Sequence, residues 1–114
     1  MEKRTKRAKI KITRGSTNVF ADLGYPDAGE RQTKLRLAYA INRVVGRRRL
    51  SQAAAARTLG INQPKVSALS RYKLEGFSVE RLMRFLTALG LDIEILIKKR
   101  PRSRSTARIN VMAA

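Results

Sequence analysis

The sequence predicts an all-α domain, a bundle of four to five short helices followed by a short C-terminal β-strand. Three observations carry that reading. Leu37, Ala38, Ile41, Val44 and Val45, and later Val79, Leu82, Met83, Leu86 and Leu89, recur at spacings of three and four, as on helices with one apolar face. Between these stretches the run 50–69, LSQAAAARTLGINQPKVSAL, reads as two short helices about a tight turn at Gly60. Beyond them Leu91, Ile93, Ile95 and Ile97 alternate with Asp92, Glu94, Leu96 and Lys98, which is the period of a strand.

Taken in order, residues 1–18 are basic and polar, with one alternation at Lys9, Ile10, Lys11 and Ile12 before the loop signals Gly15, Ser16 and Asn18. Val19, Phe20 and Leu23 form a small apolar cluster expected to pack on the domain edge. Pro26 and Asp27 are expected to open the first helix. Asp27 would cap it, with Glu30 three residues on completing a capping-box-like pair. Gly46, followed by Arg47, Arg48 and Arg49, is expected to close it, because glycine relaxes a last turn and cations suit a helix C-terminus. The second helix is expected over 51–59 with Ser51 as cap. The third is expected over 63–72 with Asn62 as cap, and the fourth between Ser78 and Gly90. Pro101 stops the strand. A lone strand needs a partner for its backbone. The candidates are residues 9–12, the same strand of a second subunit, or another protein.

Charge narrows the function. The chain carries 26 Lys and Arg against 8 Asp and Glu, a net +18. Such a field attracts polyanions, nucleic acid first. Residues 1–14 hold seven basic residues and one Glu, and residues 98–108 hold six basic residues and no acid. This divides the chain into a basic tail 1–17, a folded unit 18–98 and a basic tail 99–114. The tails read as solubilising segments or as arms that lie along phosphates. The chain has no Cys and no His. Thiol catalysis, disulfides and thiolate or imidazole metal sites are therefore excluded. Asp27, Glu30, Glu75 and Glu80 sit at expected helix ends or turns, where capping explains them. No enzyme, no catalytic residue, no metal and no cofactor are expected. No apolar stretch of about 7–15 residues follows the basic N-terminal segment and no run approaches about 20 apolar residues, so no secretory signal is expected, and a cytoplasmic, nucleoid-associated protein without a membrane partner is.

The central run has the chemistry of a DNA-reading helix-turn-helix. Two helices that meet steeply need a small residue at their closest approach, and Ala55 or Ala56 supplies it. Gly60 stands where the turn needs a left-handed backbone. Leu59, Ile61, Val66 and Leu69 would point inward. That leaves Gln63, Pro64, Lys65, Ser67, Ala68 and Arg71 outward on the third helix. A reading helix presents its N-terminal residues to base edges in the major groove. Gln63 can pair with adenine N6 and N7, and Lys65 can reach guanine O6 and N7 or a phosphate. Ala68 can meet a thymine methyl. Pro64 costs little in a first turn. Gln52, at the positive end of the second helix, is placed to hold a phosphate. Asn62 joins this set at the cap. Arg71 and Lys73 would track the backbone beyond the groove.

These residues resemble the XRE (Cro/cI-like) helix-turn-helix family, whose fold is the lambda-repressor-like helical bundle. In that pattern Gln52 opens the motif, Ala56 is the small crossing residue, Gly60 the turn, and Val66 and Leu69 the core anchors. The segments NVFADLG, QPKVSAL, GFSVERLMRFLTALG and DIEI resemble the compact subgroup that includes HigA-like antitoxins, and the resemblance covers about 18–98. Both tails are longer and more basic than that subgroup needs. Tyr72 and Lys73 stand where many members have a glycine-containing turn.

The resemblance implies a transcriptional repressor that binds double-stranded DNA at an inverted-repeat operator as a homodimer, with reading helices one turn, about 34 Å, apart. It also implies autoregulation and the role of antitoxin to a RelE/HigB-like ribonuclease toxin. The competing expectation from charge alone is a sequence-neutral packaging or RNA-binding protein driven by its tails.

Overall fold

The structure, a computed structural model, describes residues 28–113. Four helices follow one another there: α1 Ala28–Arg47, α2 Gln52–Leu59, α3 Gln63–Ser70 and α4 Val79–Ala88. The bundle is all-α, as the apolar spacing predicts. The expected cap Asp27, the alternation at 9–12 and the cluster of Val19, Phe20 and Leu23 lie outside the described residues.

Each helix is built as its sequence requires, with exceptions at two ends. On α1 the predicted face is the buried one: Leu37, Ala38, Ile41 and Val44 are buried, and Val45 packs beside them. Lys34 pairs with Glu30 one turn earlier at 3.6 Å. Gly46, however, does not end this helix. The helix runs through Gly46 to Arg47, and the left-handed residue is Arg49, at φ +55. The Leu50 amide donates to the Val45 carbonyl (3.1 Å) and the Arg49 amide to Gly46 (3.1 Å). Val45 and Leu50 both pack on the core. The chain therefore reverses where those two aliphatics are covered, not where the glycine sits.

The next three helices open on the caps expected of them. Ser51 Oγ accepts from the Ala54 amide (3.0 Å), Asn62 Oδ1 from Lys65 (2.9 Å) and Ser78 Oγ from Arg81 (3.1 Å). Gly60 adopts φ +72 and donates to Ala56 (2.8 Å), so the turn between α2 and α3 uses the glycine as predicted. The small residue buried on α2 is Ala55, 1% exposed; Ala56, the crossing residue of the family pattern, is half-buried. Helix α3 stops at Ser70, two residues early. Tyr72 takes the left-handed turn at φ +62, and the Lys73 amide closes it on Ala68 (2.9 Å). A tyrosine thus takes a left-handed backbone that glycine would adopt at lower cost. Gly90, at φ +90, closes α4 with the Leu91 amide donating to Leu86 (3.0 Å).

Helix α1 packs chiefly on α4, and α2 chiefly on α3. Packing of α3 on α1 and of α2 on α4 joins the two pairs. Ala38, Ile41 and Leu82 are fully buried in the shared core, which Leu59 and Leu69 enter from the motif. Phe85, absent from the predicted stripe of α4, is also buried and meets Phe77 edge-on at 5.8 Å.

The predicted strand over 91–97 does not form in the single chain. Residues 91–100 adopt no regular structure, and Leu91 and Ile93 lean on the core. A strand exists only as one side of a hydrogen-bonded ladder, and none of the described residues supplies the other side. Further on, the basic tail folds back. Arg36 Nη1 donates to the Val111 carbonyl (3.3 Å), and Val111 packs against the core. Among the described residues no helix is long and apolar enough to cross a membrane.

The two glycines separate in stability measurements. Gly46→Ala should stabilise the fold by about 0.5–1 kcal/mol, because Gly46 lies inside a helix with open space around it. Gly60→Ala should destabilise it by ~1–2 kcal/mol from backbone strain alone, since nothing crowds an added Cβ there. Urea titrations of both variants check the opposite signs.

Candidate nucleic-acid interface

The helices of the motif share a feature that the outer helices lack. Neither α2 nor α3 has an acidic residue in its first turn, whereas α1 carries Glu30 and α4 carries Glu80 there. The caps of α2 and α3, Ser51 and Asn62, are uncharged. Each N-terminus therefore keeps the positive end of its peptide dipoles and its remaining amide donors for an external anion. Gln52 stands exposed at the first turn of α2, and Gln63 and Pro64 at the first turn of α3. Asn62 spends Oδ1 on the cap, which leaves its Nδ2 as a donor at the same exposed corner.

The remaining predicted residues divide by burial. Arg71 and Lys73 are exposed, with Arg71 Nε laid back on the Ser67 carbonyl (3.3 Å). Lys65, Ser67 and Ala68 are half-buried. Lys65 stands one turn before the buried Leu69, at the edge of the covered face. Its Nζ lies 5.8 Å from the centre of the Phe77 ring. Ala68 packs partly on the core. The outward set of α3 is thus narrower than the helical period alone suggests. Its open part is the N-terminal corner at 62–64 together with Arg71 and Lys73 beyond the C-terminal end.

Two positioning residues escape sequence reasoning. Asn42 of α1 is half-buried and donates from Nδ2 to the Leu69 carbonyl (3.1 Å), which fastens the end of α3 to the long helix. Its signal is a polar residue beside Ile41 on an otherwise apolar flank, a group that needs a partner once covered. Phe77, in the loop before α4, lies beneath both Lys65 and Arg81 (5.9 Å for the latter). A lone aromatic in a loop carries no periodicity to reveal it.

The charge is also divided along the fold. From Arg31 to Leu74 there is no acidic residue, against eleven Lys or Arg. Beyond Leu74 come Glu75, Glu80, Asp92 and Glu94. Helices α2 and α3 thus lie in a wholly basic stretch, and the later acids sit in the loop before α4, on α4 and on the segment after it. Arg36, within the basic stretch, has its guanidinium pushed below its ordinary value by burial and then by repulsion from Arg108. Among the described residues no group of carboxylates could hold a metal ion.

Comparison with known proteins agrees with this geometry. A helix-turn-helix domain family matches residues 19–98. No curated protein matches the chain. A solved structure named as a putative XRE family transcriptional regulator is 74% identical, covers 78% of this chain and 100% of its own, and superposes with a TM-score of 0.74. Two capped eight-residue helices about a left-handed glycine, set in an acid-free basic stretch, agree with that match, and the chain belongs to the XRE family of helix-turn-helix transcriptional regulators.

Proposed function

We propose that this chain is an autoregulatory repressor that binds an inverted-repeat operator as a homodimer, with α3 as the reading helix in each major groove. The observation that carries this reading is the pair of acid-free, neutrally capped N-termini on α2 and α3, with Gln52 and Gln63 exposed beside them. In this reading Gln63 contacts a base edge. Asn62, Pro64 and Ser67 shape the approach, and Ala68 sets how closely the helix sits. Gln52, Lys65, Arg71 and Lys73 hold phosphates. Lys65 belongs with the phosphate-binding group because its stem is half-covered and its ammonium is drawn toward Phe77.

Gln63→Ala should weaken binding to the cognate operator by about 1–3 kcal/mol and relax base preference at one position of each half-site. Gln52→Ala should weaken all duplexes alike. Footprinting and titration against an operator library check both. Unchanged operator binding by Gln63→Ala would remove α3 from the groove.

The basic tails supply affinity in this reading and α3 the selectivity. Deleting residues 1–14 and replacing Arg102, Arg104 and Arg108 with Gln should flatten the salt dependence of binding, by roughly 0.9 in log–log slope for each phosphate no longer neutralised. The ratio of operator to random duplex affinity should stay the same. Loss of that ratio together with all binding would favour the sequence-neutral packaging or RNA-binding alternative.

The antitoxin role forms a further part of the proposal, supported by the resemblance of 18–98 to the HigA-like subgroup. A RelE/HigB-like toxin would then be encoded beside this gene. Co-expression with that neighbouring small protein should yield a complex that co-purifies and silences ribonuclease activity. Failure of the two to associate would remove the role and leave the repressor reading standing.

A further inference from the structure

The segment after α4 has the composition of a strand and, among the described residues, no strand to pair with. Ile95, Leu96 and Ile97 are 75%, 70% and 89% exposed, three consecutive aliphatic residues in water. Among the described residues no backbone hydrogen bond joins 92–100 to the rest of the fold. No ion pair engages Asp92, Glu94, Lys98 or Lys99 there. Toward the core, Ile93 and Ile95 border a shallow cleft on α4 together with Glu80, Met83, Arg84 and Thr87. One face of the segment thus lies over α4, and its edges are open.

We infer that residues 91–100 of two copies pair as an antiparallel two-stranded sheet about a two-fold axis at Leu96, joining the homodimer. The inference rests on the homodimeric reading above and adds the interface. Its warrant is the order of charges. Acids occupy only the first half, Asp92 and Glu94, and cations only the second, Lys98, Lys99 and Arg100. A parallel in-register pair would set acid against acid and cation against cation. An antiparallel pair sets the halves against each other, so the segment is complementary to itself. A two-fold axis perpendicular to the sheet must pass through a position that meets its own copy. Centred on Leu96, the register places Asp92 opposite Arg100 and Glu94 opposite Lys98. It also places Ile95 opposite Ile97, twice. Centred on Ile95 instead, it leaves Glu94 opposite Leu96 and only Asp92 matched.

The ends agree with the centre at Leu96. Leu91 then falls opposite Pro101, which has no amide to donate, and the ladder stops there. Directly opposed residues project from the same face of a sheet. The Ile95–Ile97 pairs therefore lie on the α4 side. Ile97, the most exposed aliphatic residue of the segment, is delivered beside Ile95 of the second copy and covered.

Charge reversal tests the register. Glu94→Lys alone and Lys98→Glu alone each place like charges across the two-fold, and each should weaken dimerisation of the full chain at least tenfold by sedimentation. The double variant should recover it. An equimolar mixture of the two single variants should also recover it as heterodimers, because both cross-strand pairs are then of opposite charge, whereas each single-variant homodimer holds two like-charged pairs. The chain has no cysteine of its own. Leu96→Cys should therefore cross-link to itself under mild oxidation, and Ile95→Cys should not.

Dimers indifferent to both single reversals would overturn the strand interface while leaving the homodimer reading intact. So would a double variant that recovers nothing. If deletion of residues 1–14 exposes the amides of 91–97 to exchange with no change in mass, the N-terminal segment is the occupant and the inference falls. A strand-joined dimer that shows no preference for an inverted repeat would support the interface and defeat the repressor reading.

Discussion

The packing of α1 on α4 is the constraint on which everything else rests. Ala38, Ile41 and Leu82 are wholly removed from water there, and a large aliphatic side chain buried in this way contributes ~1.5–3 kcal/mol. Helices α2 and α3 are eight residues each, too short to persist alone. They hold their shape because Leu59 and Leu69 are seated in that same core. The Asn42–Leu69 hydrogen bond adds direction to the apolar packing, since burial alone does not set the angle of one helix on another. A corner of two short helices is thereby carried by a long helix whose own apolar face is spent on the core.

Electrostatics then distinguishes two stretches of the chain. The acid-free stretch from Arg31 to Leu74 contains both motif helices, and their N-termini carry no internal counter-charge. Every acid after it lies in the loop before α4, on α4 or on the segment that follows. The first stretch suits a polyanion. In the proposed dimer an antiparallel copy of residues 91–100 would set Arg100 and Lys98 against Asp92 and Glu94.

Legibility followed periodicity. The apolar faces of α1 and α4, the caps Ser51, Asn62 and Ser78, and the turn at Gly60 were all readable, because each depends on residues within four positions of one another. Helix ends were less so. Gly46 looks like a terminator, yet the helix continues to Arg47 and turns at Arg49, where Leu50 finds the core. Tyr72 accepts a left-handed backbone for want of a glycine. In both places tertiary burial of neighbouring side chains outweighs a local preference of ~1 kcal/mol. Phe85 escapes the sequence pattern because it widens an apolar stripe that is already sufficient.

By itself the sequence determined the helices, their caps, the family and the basic field, all consequences of local spacing and composition. The tertiary structure decided which of the candidate DNA-facing residues stand open. It left Gln52, Asn62, Gln63, Pro64, Arg71 and Lys73 in water, and half-covered Lys65, Ser67 and Ala68. No spacing rule reveals that Phe77, twelve positions after Lys65, returns to lie beneath its ammonium. It also left residues 91–97 without a pairing strand among the described residues. A helix satisfies its backbone within its own residues, whereas a strand needs an edge from elsewhere, and alternation in a sequence cannot name the partner.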